Sequence, residues 1–272
     1  MPESPEVDAL AAEVRTRLVG ARIDGLDLEE FGALKTRRRA LDELNGRTIT
    51  GIRRFGKHLA IDTDGPILVV GFGRAGWMRW DDGAPQDAAE PAPPAIARLS
   101  FAGEDALLLT DAGGWLSVGL WIVDDAADVP AIAKLGPDPA APGFAAADLD
   151  RVVVGRRKQL KALLQEQESL SGIGNAYSDE ILHVARLWPL THAADLDDAQ
   201  RAALFDALRS VLGEAFADRR GIPIDQLKAR KVASMRVHGR TGEACPDCGG
   251  TVADIPGSKG AAQYCPSCQP AP

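Results

Sequence analysis

The pattern of apolar and polar positions changes character three times along the chain. Near the start, Val7, Leu10, Ala11, Val14 and Leu18 recur at helical spacing, with Ser4 as N-cap, Pro5 as first helical residue and Gly20 as the stop. From about residue 21 to 125, short β-branched or apolar runs at 48–52, 58–61, 67–72, 106–110 and 116–123 alternate with Gly, Asp and Pro. That alternation predicts an antiparallel sandwich or barrel. Residues 81–95, rich in Ala, Asp and Pro, read as an exposed loop, and 126–147 as an interdomain linker with one short helix. Beyond 156 the period is helical again. One helix is expected over 158–167, with Leu160, Leu163 and Leu164 on a face, and a second over 177–187, stopped by Pro189. Asp197 with Gln200 makes a capping box that opens a long helix carrying Leu204, Leu208, Val211 and Leu212. The class expected is α+β: an N-terminal helix and antiparallel β-sandwich over 1–125, the linker, a helical domain over 148–235 and a cysteine finger over 236–272.

Composition narrows the setting. A 272-residue chain with 45% hydrophobic residues can bury the cores of two domains. Its longest apolar run, 67–73, is far short of the ~20 residues that span a bilayer. Glu3 and Glu6 stand where a secretory signal needs positive charge, so a soluble cytoplasmic protein, nucleoid-associated when acting, is expected. The net charge of −8 argues against a nucleic-acid partner until its distribution is considered. Segments 34–58, 151–161 and 228–240 hold 18 of the 31 Lys and Arg but 2 of the 39 Asp and Glu. Three basic islands on an acidic body can form one electropositive face; three separate solvated faces are the alternative.

The chemistry concentrates at the two ends. Cys245-Pro-Asp-Cys248 and Cys265-Pro-Ser-Cys268 are the only cysteines, and two such knuckles can close around one tetrahedral Zn²⁺. Disulfide pairing is the alternative, disfavoured in a reducing compartment. Four thiolates leave no open coordination position, so the zinc would be structural, and the finger tip around Lys259 can brace a nucleic acid. At the other end, removal of Met1 turns Pro2 into a free secondary amine. A terminal amine titrates near ~8, against ~10.4 for lysine, so more of it is nucleophilic at neutral pH. Such an amine can attack the C1′ of a deoxyribose to form an iminium, with Glu3 moving protons. Coincidence is the competing explanation for so short a motif. Between the ends, the turn Ser171-Gly172-Ile173-Gly174-Asn175 joins two helices, and its N–H groups with the following helix start can hold a phosphate.

The order of these parts resembles the formamidopyrimidine-DNA glycosylase and endonuclease VIII family. Pro2-Glu3 with Glu6, Gly56-Lys57, Leu135-Gly-Pro-Asp-Pro139, Gly172–Asn175, Val237-His-Gly-Arg240 and a finger ending Cys268-Gln269 carry the resemblance over nearly the whole chain. It implies a bifunctional glycosylase and abasic-site lyase that acts on double-stranded DNA containing damaged bases or abasic sites. A monomer with no membrane contact is expected. Position by position, it implies Pro2 as Schiff-base nucleophile, Glu3 as proton donor, Glu6 as supporting carboxylate, and Lys57 and Asn175 as phosphate ligands. The departures are specific. Gly260, beside Lys259, stands where the family's finger has an Arg. Gly71-Phe-Gly-Arg-Ala-Gly76 replaces His-Leu-Gly-Met-Ser-Gly, and Asp111-Ala-Gly-Gly-Trp-Leu116 replaces Asp-Pro-Arg-Arg-Phe-Gly. Arg74 and Trp115 are then the candidates to fill the void left by a flipped base; ordinary packing is the alternative, and it suits Trp115, placed among strand residues, better than Arg74. A DNA-binding module without glycosylase activity is the rival reading, and a zinc-ribbon interaction factor a weaker one.

Overall fold

Val7, Leu10 and Val14 are fully buried along one face of helix α1 (Ser4–Leu18), as their spacing requires. The helix starts one residue earlier than the apolar pattern suggests. Glu3, not Ser4, is the N-cap, so Pro5 falls at N2, where its missing N–H is one of the unpaired donors of a helix start. Gly20, at φ 90, leads the chain out in a conformation glycine adopts without strain.

The computed structural model describes residues 1–81, 93–103 and 106–271. These divide into two compact units: 1–133 with 221–228, and 134–220 with 229–272.

In the first unit, α1 is followed by eight strands: β1 (Ile23–Leu28), β2 (Ile49–Phe55), β3 (His58–Thr63), β4 (Ile67–Gly71), β5 (Gly76–Asp81), β6 (Ala95–Phe101), β7 (Ala106–Asp111) and β8 (Gly119–Val123). They form two four-stranded antiparallel sheets, β1-β6-β7-β5 and β2-β3-β4-β8. Leu26, Met78, Leu99 and Leu109 of the first share an apolar core with Ile61, Leu68, Val70 and Leu120 of the second. Each such side chain contributes roughly 1.5–3 kcal/mol when removed from water. Three strands escape the sequence pattern. Gly25 breaks the alternation of β1 at a register shift, β5 alternates half-buried Trp77, Arg79 and Trp80 with Met78, and Arg98 interrupts the apolar signal of β6. The expected strand over 116–123 begins only at Gly119, because 112–118 fold into a loop. Most of the expected loop at 81–95 lies outside the described residues.

A short helix, α2 (Pro130–Ala133), ends the first stretch of that unit. The second contains α3 (Ala146–Val153), α4 (Leu160–Leu164), α5 (Asn175–Val184) and α6 (Asp198–Arg219). Asp197 caps α6 as expected: its Oδ1 accepts the Gln200 N–H at 2.8 Å, and Gln200 Oε1 accepts the Asp197 N–H at 3.0 Å. The expected helix over 158–167 is cut to five residues. Gln159 bridges His192 in extended form, and the Gln167 side chain donates to the carbonyls of Gln165 and Ile173 while accepting the Gly172 N–H, which winds 165–174 into a turn. Helix α5 likewise runs over 175–184 rather than 177–187, and Arg186 at φ 56 ends it before Pro189 does. An unexpected helix, α7 (Ile224–Ser234), starts in the first unit, where Ile224 and Leu227 are buried, and finishes in the second. The ribbon hairpin β9 (Ala253–Asp254) and β10 (Gln263–Tyr264) closes the fold.

Candidate active site and nucleic-acid interface

At the head of α1, Pro2 is buried and Glu3 and Glu6 are 1% and 0% exposed. Glu6 occupies N3, and its Oε2 accepts the Glu3 backbone N–H at 2.9 Å. That position sets the Glu6 carboxyl group at the end of the helix that carries partial positive charge. The Glu3 carbonyl accepts the first helical bond, from the Val7 N–H at 2.9 Å. Backbone and side-chain bonds thus hold Pro2 and Glu3 at the start of a buried helix.

Lys57 stands at the tip of the β2–β3 hairpin. Phe55 pairs with His58, leaving Gly56-Lys57 as a two-residue turn whose first position needs the φ of 54 that Gly56 supplies. Next to it, burial holds His58 below the usual histidine range, a direction the Lys57 charge reinforces. The histidine therefore stays neutral and leaves the ammonium as the turn's cation.

Arg74 and Trp115 stand on two loops that lock together. A Cβ on Gly73 would lie 2.2 Å from the Ser117 carbonyl oxygen, and the Arg74 N–H donates to Ser117 Oγ at 2.8 Å. The second loop is organised by Asp111, which accepts from Gly113 N–H (2.9 Å), Ser117 N–H (2.8 Å), Ser117 Oγ (3.0 Å) and Val118 N–H (3.2 Å). Burial alone would raise the Asp111 pKa; these donors outweigh it and hold the carboxyl below its ordinary value. Trp115 is 89% exposed, so the packing role suggested by its strand-rich surroundings is wrong. Asp111 escaped the sequence reading as a site residue, although an Asp two residues before Gly-Gly is a turn signal.

In the second unit, Asn175 is the first residue of α5. Its Oδ1 accepts from Gln165 Nε2 at 3.1 Å, and its Nδ2 donates to the Ala261 carbonyl in the ribbon loop that carries Lys259. Lys259 has φ 53, between Gly257 at φ 80 and Gly260 at φ 77. Two buried acids missed by the sequence reading tie helix to ribbon. Asp179 accepts from Lys161 Nζ at 2.5 Å, from His238 Nδ1 at 2.7 Å and from the Gln263 N–H at 3.1 Å. Glu180 takes the N–H groups of Arg236, Val237 and His238 at 2.8, 3.0 and 2.9 Å. Burial pushes the Glu180 carboxyl up, and those three donors oppose the shift. Nothing in the local sequence marks either residue, because their partners lie from 18 to 84 positions away.

The basic islands are less available than their composition implies. Arg39 pairs with Asp124, Arg53 with Asp62, Arg54 with Asp8, and Arg156 and Lys158 with Glu166. Lys158, Ser169 and Arg156 lower the Glu166 pKa to about 2.

The four cysteines form one cluster, their sulfurs all within 4.8 Å of one another. Burial pushes the Cys265 and Cys268 thiols up, whereas the Gly250 N–H helps bring Cys248 down to about 7. Such a set of sulfurs fits a metal ion, which would hold all four as thiolates. Gln269 accepts the Cys265 N–H and donates to the Leu187 carbonyl, both at 2.9 Å, which anchors the second knuckle beneath α5. Among the described residues, no helix is long and apolar enough to cross a membrane.

Residues 1–115 match the family described as formamidopyrimidine-DNA glycosylase N-terminal domain, and residues 135–225 that described as formamidopyrimidine-DNA glycosylase H2TH domain. A formamidopyrimidine-DNA glycosylase of Heliobacterium modesticaldum is 32% identical over 99% of this chain and 100% of its own. An uncharacterized formamidopyrimidine-DNA glycosylase-like protein of Mycobacterium tuberculosis is 41% identical over 53% of this chain and 89% of its own. Among solved structures, a Lactococcus lactis Fpg (MutM) in complex with FAPY-dG containing DNA superposes with a TM-score of 0.85 at 25% identity, covering 99% of this chain and 100% of that one.

Proposed function

The chain belongs to the formamidopyrimidine-DNA glycosylase family, and on that premise we propose which of its residues carry each step of base excision. The activity itself is base-excision DNA glycosylase with abasic-site lyase, on double-stranded DNA holding damaged bases or abasic sites. Pro2, freed by removal of Met1, attacks C1′ of the extruded nucleotide. The new N–C1′ bond forms as the glycosidic bond breaks, and the base leaves with a proton supplied through Glu3. Ring opening then breaks the C1′–O4′ bond, with O4′ taking a proton through Glu3, and leaves C1′ as an iminium to the proline nitrogen. The iminium acidifies the C2′ hydrogens, so loss of a C2′ proton expels the 3′ phosphate. Glu6 fixes the Glu3 backbone and supplies negative charge beneath the developing cation.

Lys57 and Asn175 hold phosphates, one as a point charge and the other as a neutral donor at a helix start. Arg74 and Trp115 fill the space that the extruded nucleotide vacates. Lys259 stands in for the family's finger arginine but lacks its planar fork, so it meets one phosphate oxygen where the arginine meets two. Cys245, Cys248, Cys265 and Cys268 hold one structural Zn²⁺, which supplies no reaction chemistry but fixes the ribbon that carries Lys259.

The observation that carries these assignments is the buried Pro2-Glu3-Glu6 constellation, with Glu6 committed to the Glu3 backbone. It favours an enzyme over a passive damage binder, for which buried acids beside Pro2 have no use. Single-turnover base release from duplexes carrying one oxidised purine or pyrimidine tests the role of Glu3. Glu3→Gln should slow release by about 10²–10⁴-fold while DNA binding stays near wild type. An unchanged release rate would remove Glu3 from the mechanism.

A further inference from the structure

Phe31 is 79% exposed, and among the described large hydrophobic side chains only Trp115 is more so. A single exposed aromatic needs no explanation, but these two belong to loops that run side by side. Leu34 pairs in parallel with Leu120, and the Lys35 N–H donates to the Leu120 carbonyl at 2.8 Å. Farther back along the same pair of segments, a Cβ on Gly32 would stand 3.1 Å from Leu116 Cδ2. Because the segments run in the same direction, Phe31 and Trp115 immediately precede two touching residues. Both loops are also braced from behind. The Glu29 and Glu30 N–H groups donate to the Ile96 carbonyl at 3.0 and 3.2 Å, and Asp111 gathers the donors of the Trp115 loop. Exposed Glu29 and Glu30 precede Phe31 and buried Asp111 organises the Trp115 loop, but exposed Lys35, Arg37 and Arg38 follow Phe31 and exposed Arg74 lies across the Trp115 loop, so cations outnumber acids on these segments.

Two preorganised aromatic side chains in solvent, on segments that also carry exposed cations, suit a polyanion that presents an unstacked base. A paired duplex buries its base faces in the stack. Extrusion or loss of one nucleotide exposes a face of the base opposite, and that base is the ligand that fits. We propose that Phe31 is a second stacking residue, forming with Trp115 a platform for the base left unpaired opposite an extruded or missing nucleotide. The proposal rests on the DNA-repair reading given above and extends it to a residue outside the reaction centre.

The full-length protein can be titrated into a duplex with 2-aminopurine opposite a tetrahydrofuran abasic analogue, which resists cleavage. Wild type should quench the 2-aminopurine emission on binding. Phe31→Ala should bind this duplex about tenfold more weakly, quench less, and bind the fully paired duplex as wild type does. Phe31→Trp should restore both signals, which a fault in loop folding would not allow. Equal weakening on both duplexes, or no change on either, would overturn the proposal. Borohydride trapping of the wild-type protein on a natural abasic site reports the enzymatic reading independently. Trapping with no Phe31 effect sinks the platform alone, whereas a Phe31 effect without trapping sinks the enzymatic reading and leaves the platform standing.

Discussion

Lys57 owes its place at the hairpin tip to the residue before it. A two-residue turn with Gly56 at positive φ places Lys57 at the hairpin tip, beside a His58 that burial keeps neutral. A phosphate ligand of this kind positions DNA without reading it. Lys57→Gln should therefore weaken binding on all sequences alike and reduce the slope of log affinity against log salt by about one. A loss confined to one lesion, with the slope unchanged, would contradict the assignment. The sequence marks Pro2, Glu3, Glu6, Lys57 and the cysteines because their meaning lies in short spacing or in a terminus. Asp179 and Glu180 stay silent in it because their meaning lies in remote N–H groups that only the fold brings to them, whereas the donors that gather on Asp111 lie within seven residues of it.

Elements were legible where their caps are local. Helix α6 announces itself through Asp197 and Gln200, whereas α4 is shortened by the Gln167 side chain, a competitor that periodicity cannot register. Glu166, beside that turn, gives the element a pH signature. Its carboxyl drops from an ordinary 4.5 to about 2, through Lys158, Ser169 and Arg156. A folded-state pKa below the unfolded one means that the stabilisation is complete above about pH 4.5 and is lost as pH falls toward 2. Urea denaturation of wild type and Glu166→Gln should show wild type more stable at pH 6, with the gap closing across that window. A gap independent of pH would show that the charge of Glu166 is not its cause. The ribbon depends on its metal instead. Protein purified without added zinc should hold about one equivalent, as four thiolates imply. Chelation should unfold the ribbon and abolish tight DNA binding while the far-ultraviolet signal of α6 survives. No bound metal under reducing conditions, or a chelated protein with unchanged affinity, would refute the structural role.

The whole chain shows where composition misleads. Its net charge of −8 conceals basic islands, and the islands conceal ion pairs: Arg53, Arg54, Arg156 and Lys158 already have carboxylate partners. The DNA contacts proposed above are assigned instead to a few cations and aromatics on loops and turns: Lys57, Arg74, Lys259, Trp115 and Phe31. The two-sheet architecture and the helical second unit follow from patterning, but β1, β5 and β6 do not, because half-buried Trp and Arg side chains or a register shift blur their periods, and α7, with Lys228, Arg230 and Lys231 among few apolar residues, carries no clear helical period. The central claim remains chemical, that a proline amine at the head of α1 forms a covalent iminium with the damaged strand. Borohydride trapping on abasic duplex tests it most directly, with mass analysis verifying that Met1 has been removed and a second sample whose terminus is acetylated. The processed protein should give one reducible cross-link per molecule at Pro2, and the blocked protein none. A cross-link that survives the verified block would place the nucleophile elsewhere and contradict the account.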